Sequence, residues 1–219
     1  MLSKNLFPLV VLLALTPVAN AVPDAGGGNR GTGPAAAPAA APPPAPPAPP
    51  APPDPTKARK AFNIGFEEYQ MASGLENASV GFTGEQAMRN KEAVTAAFTR
   101  ARDRFRVATS ADATMKEGWN MLGYTSRKLG DYEASLKAYD QALALAPDYP
   151  EAIEYRAELF LLTGRLAEAK DAYASLLKSS PSYAGVLKTS MQDWLKSKKP
   201  APGVGNTERT EFAAWVSKL

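Results

Sequence analysis

Apolar and small residues recur along this chain at helical spacing, and between Lys116 and Tyr183 one arrangement of them is written twice. The first copy reads KEGWNMLGYTSRKLGDYEASLKAYDQALALAPDY, the second PEAIEYRAELFLLTGRLAEAKDAYASLLKSSPSY. Gly130 and Gly164, Tyr139 and Tyr173, Pro147 and Pro181, and Tyr149 and Tyr183 each stand 34 residues apart. A period of this length is the mark of a solenoid, in which each helix-turn-helix unit buries its apolar face against the next. Gly123, Ser135, Ala157 and Ala169 are small enough to let helices cross closely, and Tyr139 and Phe160 fill the space beside them. Gly130 and Gly164 are expected to turn the chain out of each first helix in the left-handed conformation, and the prolines to end each second helix.

The same periodicity extends in both directions. Ala58–Met71 predicts a helix bearing Ala61, Ile64, Gly65 and Glu68, whose Asn63-Ile64-Gly65 echoes Met121-Leu122-Gly123. A second helix is expected at about Thr83–Ser110, with Ala101, Phe105 and Ala108 in register with Ser135, Tyr139 and Ala142. This makes 57–115 a divergent earlier copy with 24 residues inserted, at about 72–95, and SGLENASVGFTGE within them reads as a loop. After the repeats 116–149 and 150–183, residues 183–197 predict a capping helix with Leu187, Met191 and Leu195 on one face. Residues 198–219 hold a Pro/Gly linker and a last helix striped with Phe212, Trp215, Val216 and Leu219, which either packs on the solenoid or docks a partner.

The double repeat resembles the tetratricopeptide repeat, a helix-turn-helix unit with W-x-x-L-G in its first helix. Trp119, Leu122, Gly123, Gly130, Tyr139, Ala142 and Pro147 carry the pattern in the first copy; Phe160, Gly164, Ala169, Tyr173 and Pro181 carry it in the second. Ser126 and Arg156 depart from it. The resemblance implies an all-α solenoid of about three repeats plus capping helices, following a disordered Pro/Ala-rich linker. It also implies a groove lined by successive first helices that binds a peptide or partner protein without catalysis. Carried onto this chain, the lining is Asn63, Phe66, Tyr69 and Gln70, then Asn120, Tyr124 and Arg127, then Glu154, Tyr155, Glu158 and Leu162. Phe66 and Tyr69 could instead pack against the insertion. Members that clamp a chaperone's C-terminal carboxylate use Lys, Arg and Asn where this chain has Phe62, Phe66, Met121, Glu151 and Tyr155, so that mode is not expected. Glu151, Glu154 and Glu158 favour a basic segment there, or form a solvated helix face.

The N-terminus adds location. Lys4, the apolar run Leu6–Leu15 and Ala19-Asn20-Ala21 have the form of a signal peptide over 1–21, cleaved after Ala21. The run is short for a membrane span, and no cysteine follows it to take a lipid. Contact with a membrane is expected only through this segment before cleavage, and the protein in the bacterial periplasm or secreted. Residues 22–55, rich in Gly, Ala and Pro, cannot form a core and read as an extended linker, either a spacer or a tolerated low-complexity tract.

Composition narrows the chemistry further. There is no Cys and no His, which removes disulfides, Ser-His-Asp and Cys-His systems and most zinc sites; no catalytic, cofactor or metal site is expected. Removal of Lys4 would leave the net charge at +2, too near balance to call for nucleic acid. No small-molecule substrate is indicated. Arg100, Arg102, Arg104 and Arg106 form the densest basic run; they either meet peptidoglycan or another anionic envelope polymer, or are solvated. The expectation is a non-enzymatic interaction module of the cell envelope; the alternative is a cell-wall-associated spacer or envelope assembly factor.

Overall fold

The computed structural model describes residues 52–79, 81–197 and 201–219, all within the unit Pro49–Leu219. The expected signal peptide, nearly all of the linker and residues 198–200 lie outside the described residues. Eight helices and no strand are found among those described: α1 (Pro55–Ala78), α2 (Gly84–Ala111), α3 (Lys116–Lys128), α4 (Tyr132–Leu145), α5 (Pro150–Leu162), α6 (Leu166–Ser179), α7 (Pro181–Lys196) and α8 (Asn206–Val216).

Local chemistry sets the ends. Asp54 caps α1 by accepting from the Lys57 amide at 2.9 Å, with Pro55 in the first turn where no amide is needed. The two regular repeats turn identically. Gly130 (φ 82°) and Gly164 (φ 78°) take the left-handed conformation, while the amides of Asp131 and Arg165 reach back to the carbonyls of Ser126 and Phe160 at 2.9 and 2.8 Å. This is the Schellman closure, and it satisfies carbonyls that the helix end leaves open. Pro147 follows α4 as expected. Pro181 opens α7, because its fixed φ suits a first helical turn as well as it breaks a last one.

Close crossings hold each pair together. Ser135 Oγ donates to the Gly123 carbonyl at 2.8 Å, and Gly123 packs directly on the Tyr139 ring. Gly65 stands against Phe105 in the same way, so α1 and α2 cross as α3 and α4 do. The insertion is not the loop that its Gly and Asn residues suggested. Residues 71–78 prolong α1 and 84–97 prolong α2, giving a longer hairpin whose Ala72, Ala97 and Phe98 form a cluster of their own. Lys128 of α3 braces it by donating to both oxygens of Glu76 at 2.6 and 2.7 Å.

One core runs from α4 to the C-terminus, through Phe160, Leu176, Leu187, Met191 and Trp194 to Phe212 and Val216 of α8. The last helix therefore packs on the solenoid: Trp215 meets Tyr173 edge-on at 5.7 Å, and Phe212 meets Trp194 at 5.6 Å. Leu195, expected on the buried face of α7, is half-buried, and Trp194 is the residue that faces inward. Arg209 closes the C-terminal end of α7 by donating to the carbonyls of Trp194, Leu195 and Ser197 at 3.2, 2.8 and 2.7 Å.

Candidate functional site

The first helices of successive units, α1, α3 and α5, bring four of the candidate residues into one ladder of rings. Phe66 lies 5.5 Å from Tyr69, Tyr69 lies 5.3 Å from Tyr124 at right angles, and Tyr124 lies 5.0 Å from Tyr155. Helical geometry makes this possible: Phe66 and Tyr69 are three residues apart on α1, and Tyr155 stands three residues before Glu158, the repeat equivalent of Tyr124, so it lies one turn away on the same face of α5. Phe66 is 38% exposed, and the three tyrosines are half-buried. Burial pushes the Tyr124 and Tyr155 hydroxyls up from their ordinary value, so both stay neutral hydrogen-bond donors. No described group hydrogen-bonds the hydroxyls of Tyr69, Tyr124 or Tyr155, and none of the three is sealed from solvent.

Beside the ladder sits a charged cluster made by α3, α5 and α7. Arg127 pairs with Glu158 at 2.5 Å while its guanidinium lies 5.1 Å over the Tyr124 ring and 6.0 Å over that of Tyr155. Ser190 of α7 donates to the other Glu158 oxygen at 2.7 Å. Glu154 is 1% exposed, which corrects the expectation that Glu151, Glu154 and Glu158 all form a solvated face. It is covered because α7 closes over the turn of α5 that carries it. Burial first, and then the neighbouring Glu158 charge, push its carboxyl up to about 8, against the opposing pull of Arg127. At neutral pH Glu154 holds a proton and presents no charge to a ligand.

Glu151 has a different setting. The Tyr149 hydroxyl donates to one of its oxygens at 2.6 Å and the Tyr183 hydroxyl to the other at 2.8 Å. Neither tyrosine was among the sequence candidates, although their 34-residue step marked them as equivalent. Asn120 is buried and lies against the Tyr149 hydroxyl, so it belongs to the wall between repeats and not to an accessible lining. Asn63 is turned off the ladder, into a hollow it shares with Arg59 and Lys60. Gln70 is exposed and Leu162 is half-buried.

The arginine run is largely used within the fold. Arg100 pairs with Glu68 at 2.9 Å, and Arg102 and Arg106 flank Asp103 at 3.7 and 3.5 Å; Arg104 is left without an acidic partner among the described residues. The deeper hollows lie away from the ladder. One of about 420 Å³ is lined by Asp140, Ile153, Arg156, Phe160, Arg165 and Glu168. Its arginines are neutralised by Asp140 at 2.7 Å and Glu168 at 2.8 Å. The ladder itself is partly covered: Tyr69 and Tyr124 pack on the Ala72, Ala97 and Phe98 cluster of the elongated hairpin, as the alternative for Tyr69 expected.

Stacked helix-turn-helix units define a helical-repeat solenoid. Residues 120–184 match the model of the tetratricopeptide repeat family, and this segment is similar to its repeats. Repeats of this family mediate protein–protein interactions and are generally non-catalytic. No curated protein matches the chain.

Proposed function

We propose that this protein is an exported interaction module of the bacterial envelope that holds an extended peptide segment of a partner protein across α1, α3 and α5. The observation that carries this reading is the continuous ladder Phe66–Tyr69–Tyr124–Tyr155. Its ring faces supply apolar contact at small entropic cost, and its free hydroxyls supply hydrogen bonds. The signal-like N-terminus supports the location, and the Pro/Ala-rich linker supports a domain set at a distance from its point of origin. The family supports a binding role over a catalytic one.

Capture from envelope extracts tests it, with bound proteins identified by mass spectrometry. Tyr124→Ala combined with Tyr155→Ala is expected to abolish capture while leaving the helical signal intact. Undiminished capture by that variant would sink the assignment of this face. Cleavage after Ala21 is tested separately, by N-terminal sequencing of the exported chain.

A further inference from the structure

We infer that the ladder face takes a proline-rich segment in the polyproline II conformation, with a basic residue placed beside Glu151. This rests on the reading of α1, α3 and α5 as the binding face and names the class of ligand for it.

The hydrogen-bonding character of the face comes first. From Phe66 to Tyr155 it offers the exposed Phe66 ring, the parts of the half-buried tyrosine rings that Phe98 and Arg127 leave uncovered, and three phenol hydroxyls that no described residue occupies. A polyproline II segment is the complementary object. Its backbone carbonyls are unpaired, its prolines have no N–H to satisfy, and its pyrrolidine rings pack on aromatic faces. Being stiff before binding, it loses little entropy on an open surface that could not by itself order a flexible chain.

Spacing agrees with this. The ring-to-ring steps from Tyr69 to Tyr124 and from Tyr124 to Tyr155 are 5.3 and 5.0 Å. One polyproline II turn rises about 9 Å over three residues, longer than either step, so a single turn reaches past two neighbouring rings.

Charge then fixes the end of the ligand. Glu151 lies one turn before Tyr155 on the same side of α5. Two tyrosine hydroxyls orient its carboxylate, yet no described cation pairs with it. The neighbouring acids differ: Glu158 is paired with Arg127 and Glu76 with Lys128, while Lys116 lies over the Tyr149 ring at 4.9 Å. Two hydroxyl donors hold a carboxylate in place without neutralising it. A lysine or arginine of the ligand would complete the site.

The test measures fluorescence anisotropy of labelled peptides against the full exported chain. The probes are PPPPPKPPPPP, the same peptide with Glu for Lys, and a Gly/Ser peptide of equal length with the same Lys. The first is expected to bind at least tenfold more tightly than either of the others. Tyr124→Ala with Tyr155→Ala should remove its binding. Glu151→Gln, which keeps an acceptor for the tyrosines, should cost about tenfold for the Lys probe and leave the Glu probe unchanged or tighter. Equal binding of the Gly/Ser probe, or no effect of Glu151→Gln, overturns the inference. If no proline probe binds but the double tyrosine variant still loses its captured protein, this ligand class fails and the binding face stands. If the double variant captures as before, both fail.

Discussion

Gly123 lies so close to the Tyr139 ring that a Cβ built on it would come within 2.6 Å of two ring carbons. Tyr139 is fully buried and has nowhere to retreat. Gly123→Ala is therefore expected to destabilise the protein by about 1–3 kcal/mol, the range for overpacking a tight core. Gly74 provides the contrast, since its Cβ would meet nothing within 4 Å and it sits inside α1. Gly74→Ala should be neutral or stabilising by up to about 1 kcal/mol, through helix propensity alone. Thermal unfolding of the two variants beside the parent checks both signs in one experiment.

The Gly123 and Tyr139 contact was readable from the repeat, because a small residue in the first helix and an aromatic in the second recur 34 residues on, as Ala157 and Tyr173. The Schellman turns at Gly130 and Gly164 were readable for the same reason. The insertion was misread. Gly81 does turn the chain between the two helices, but Gly74 and Asn77 are loop-forming residues inside α1: Ala72 and Phe98 pack together and Lys128 anchors Glu76, so tertiary contacts override local preference there. Periodicity put Glu154 and Glu158 on the correct face of α5. Which of the two is buried depends on where α7 lies, and that follows from α7 starting at Pro181. The convergence of Tyr149 and Tyr183 on Glu151 lay beyond sequence reasoning, since it needs the start of α7 set against the start of α5.

Glu154 gives the protein a definite dependence on pH. Its carboxyl titrates near 8 in the folded state and near 4.5 when free, so between those values the folded state holds a proton that the unfolded state has released. The contribution of this group to stability is thus greatest below about pH 4.5, declines as pH rises and levels off above about pH 8. Glu154→Gln keeps a donor for Glu158 and removes the titration. The variant should gain on the parent by on the order of 3 kcal/mol between pH 5 and pH 8. Urea unfolding at those two pH values measures the gap, and a gap that stays constant would rule out the buried proton.

The brace between Glu76 and Lys128 joins the elongated hairpin to α3 across 52 residues of sequence, with the lysine side chain 23% exposed and its ammonium 5.4 Å over the Phe98 ring. Lys128→Met keeps the stem over Phe98 and removes the pairing. The expected loss in global stability is small, at most about 1 kcal/mol, because Glu76 is 44% exposed and partly screened by solvent. The local effect should be larger. Amide hydrogen exchange over residues 71–79 is expected to accelerate while α5 and α6 stay unchanged. Uniform exchange across the chain would show that the brace does not act locally.

Arg209 performs two tasks with one side chain. It donates to three carbonyls at the end of α7, and its guanidinium lies 4.6 Å over Trp194, the same ring that Phe212 meets edge-on. Carbonyls at a helix end lack partners within the helix, and a cation there also opposes the helix dipole. All three carbonyls accept from Nη2, and Arg209→Lys retains a charged donor there but loses the planar guanidinium stacked over Trp194, so it should recover only part of the stability. The expected order of stability is parent, then Arg209→Lys, then Arg209→Ala, the last lower by about 1–2 kcal/mol, read by thermal unfolding. Truncation before Asn206 should fall below all of them, because it also uncovers Trp194 and Tyr173. A truncated chain as stable as the parent would mean that α8 leaves the solenoid in solution and that its stripe of Phe212, Trp215 and Val216 is free to dock elsewhere.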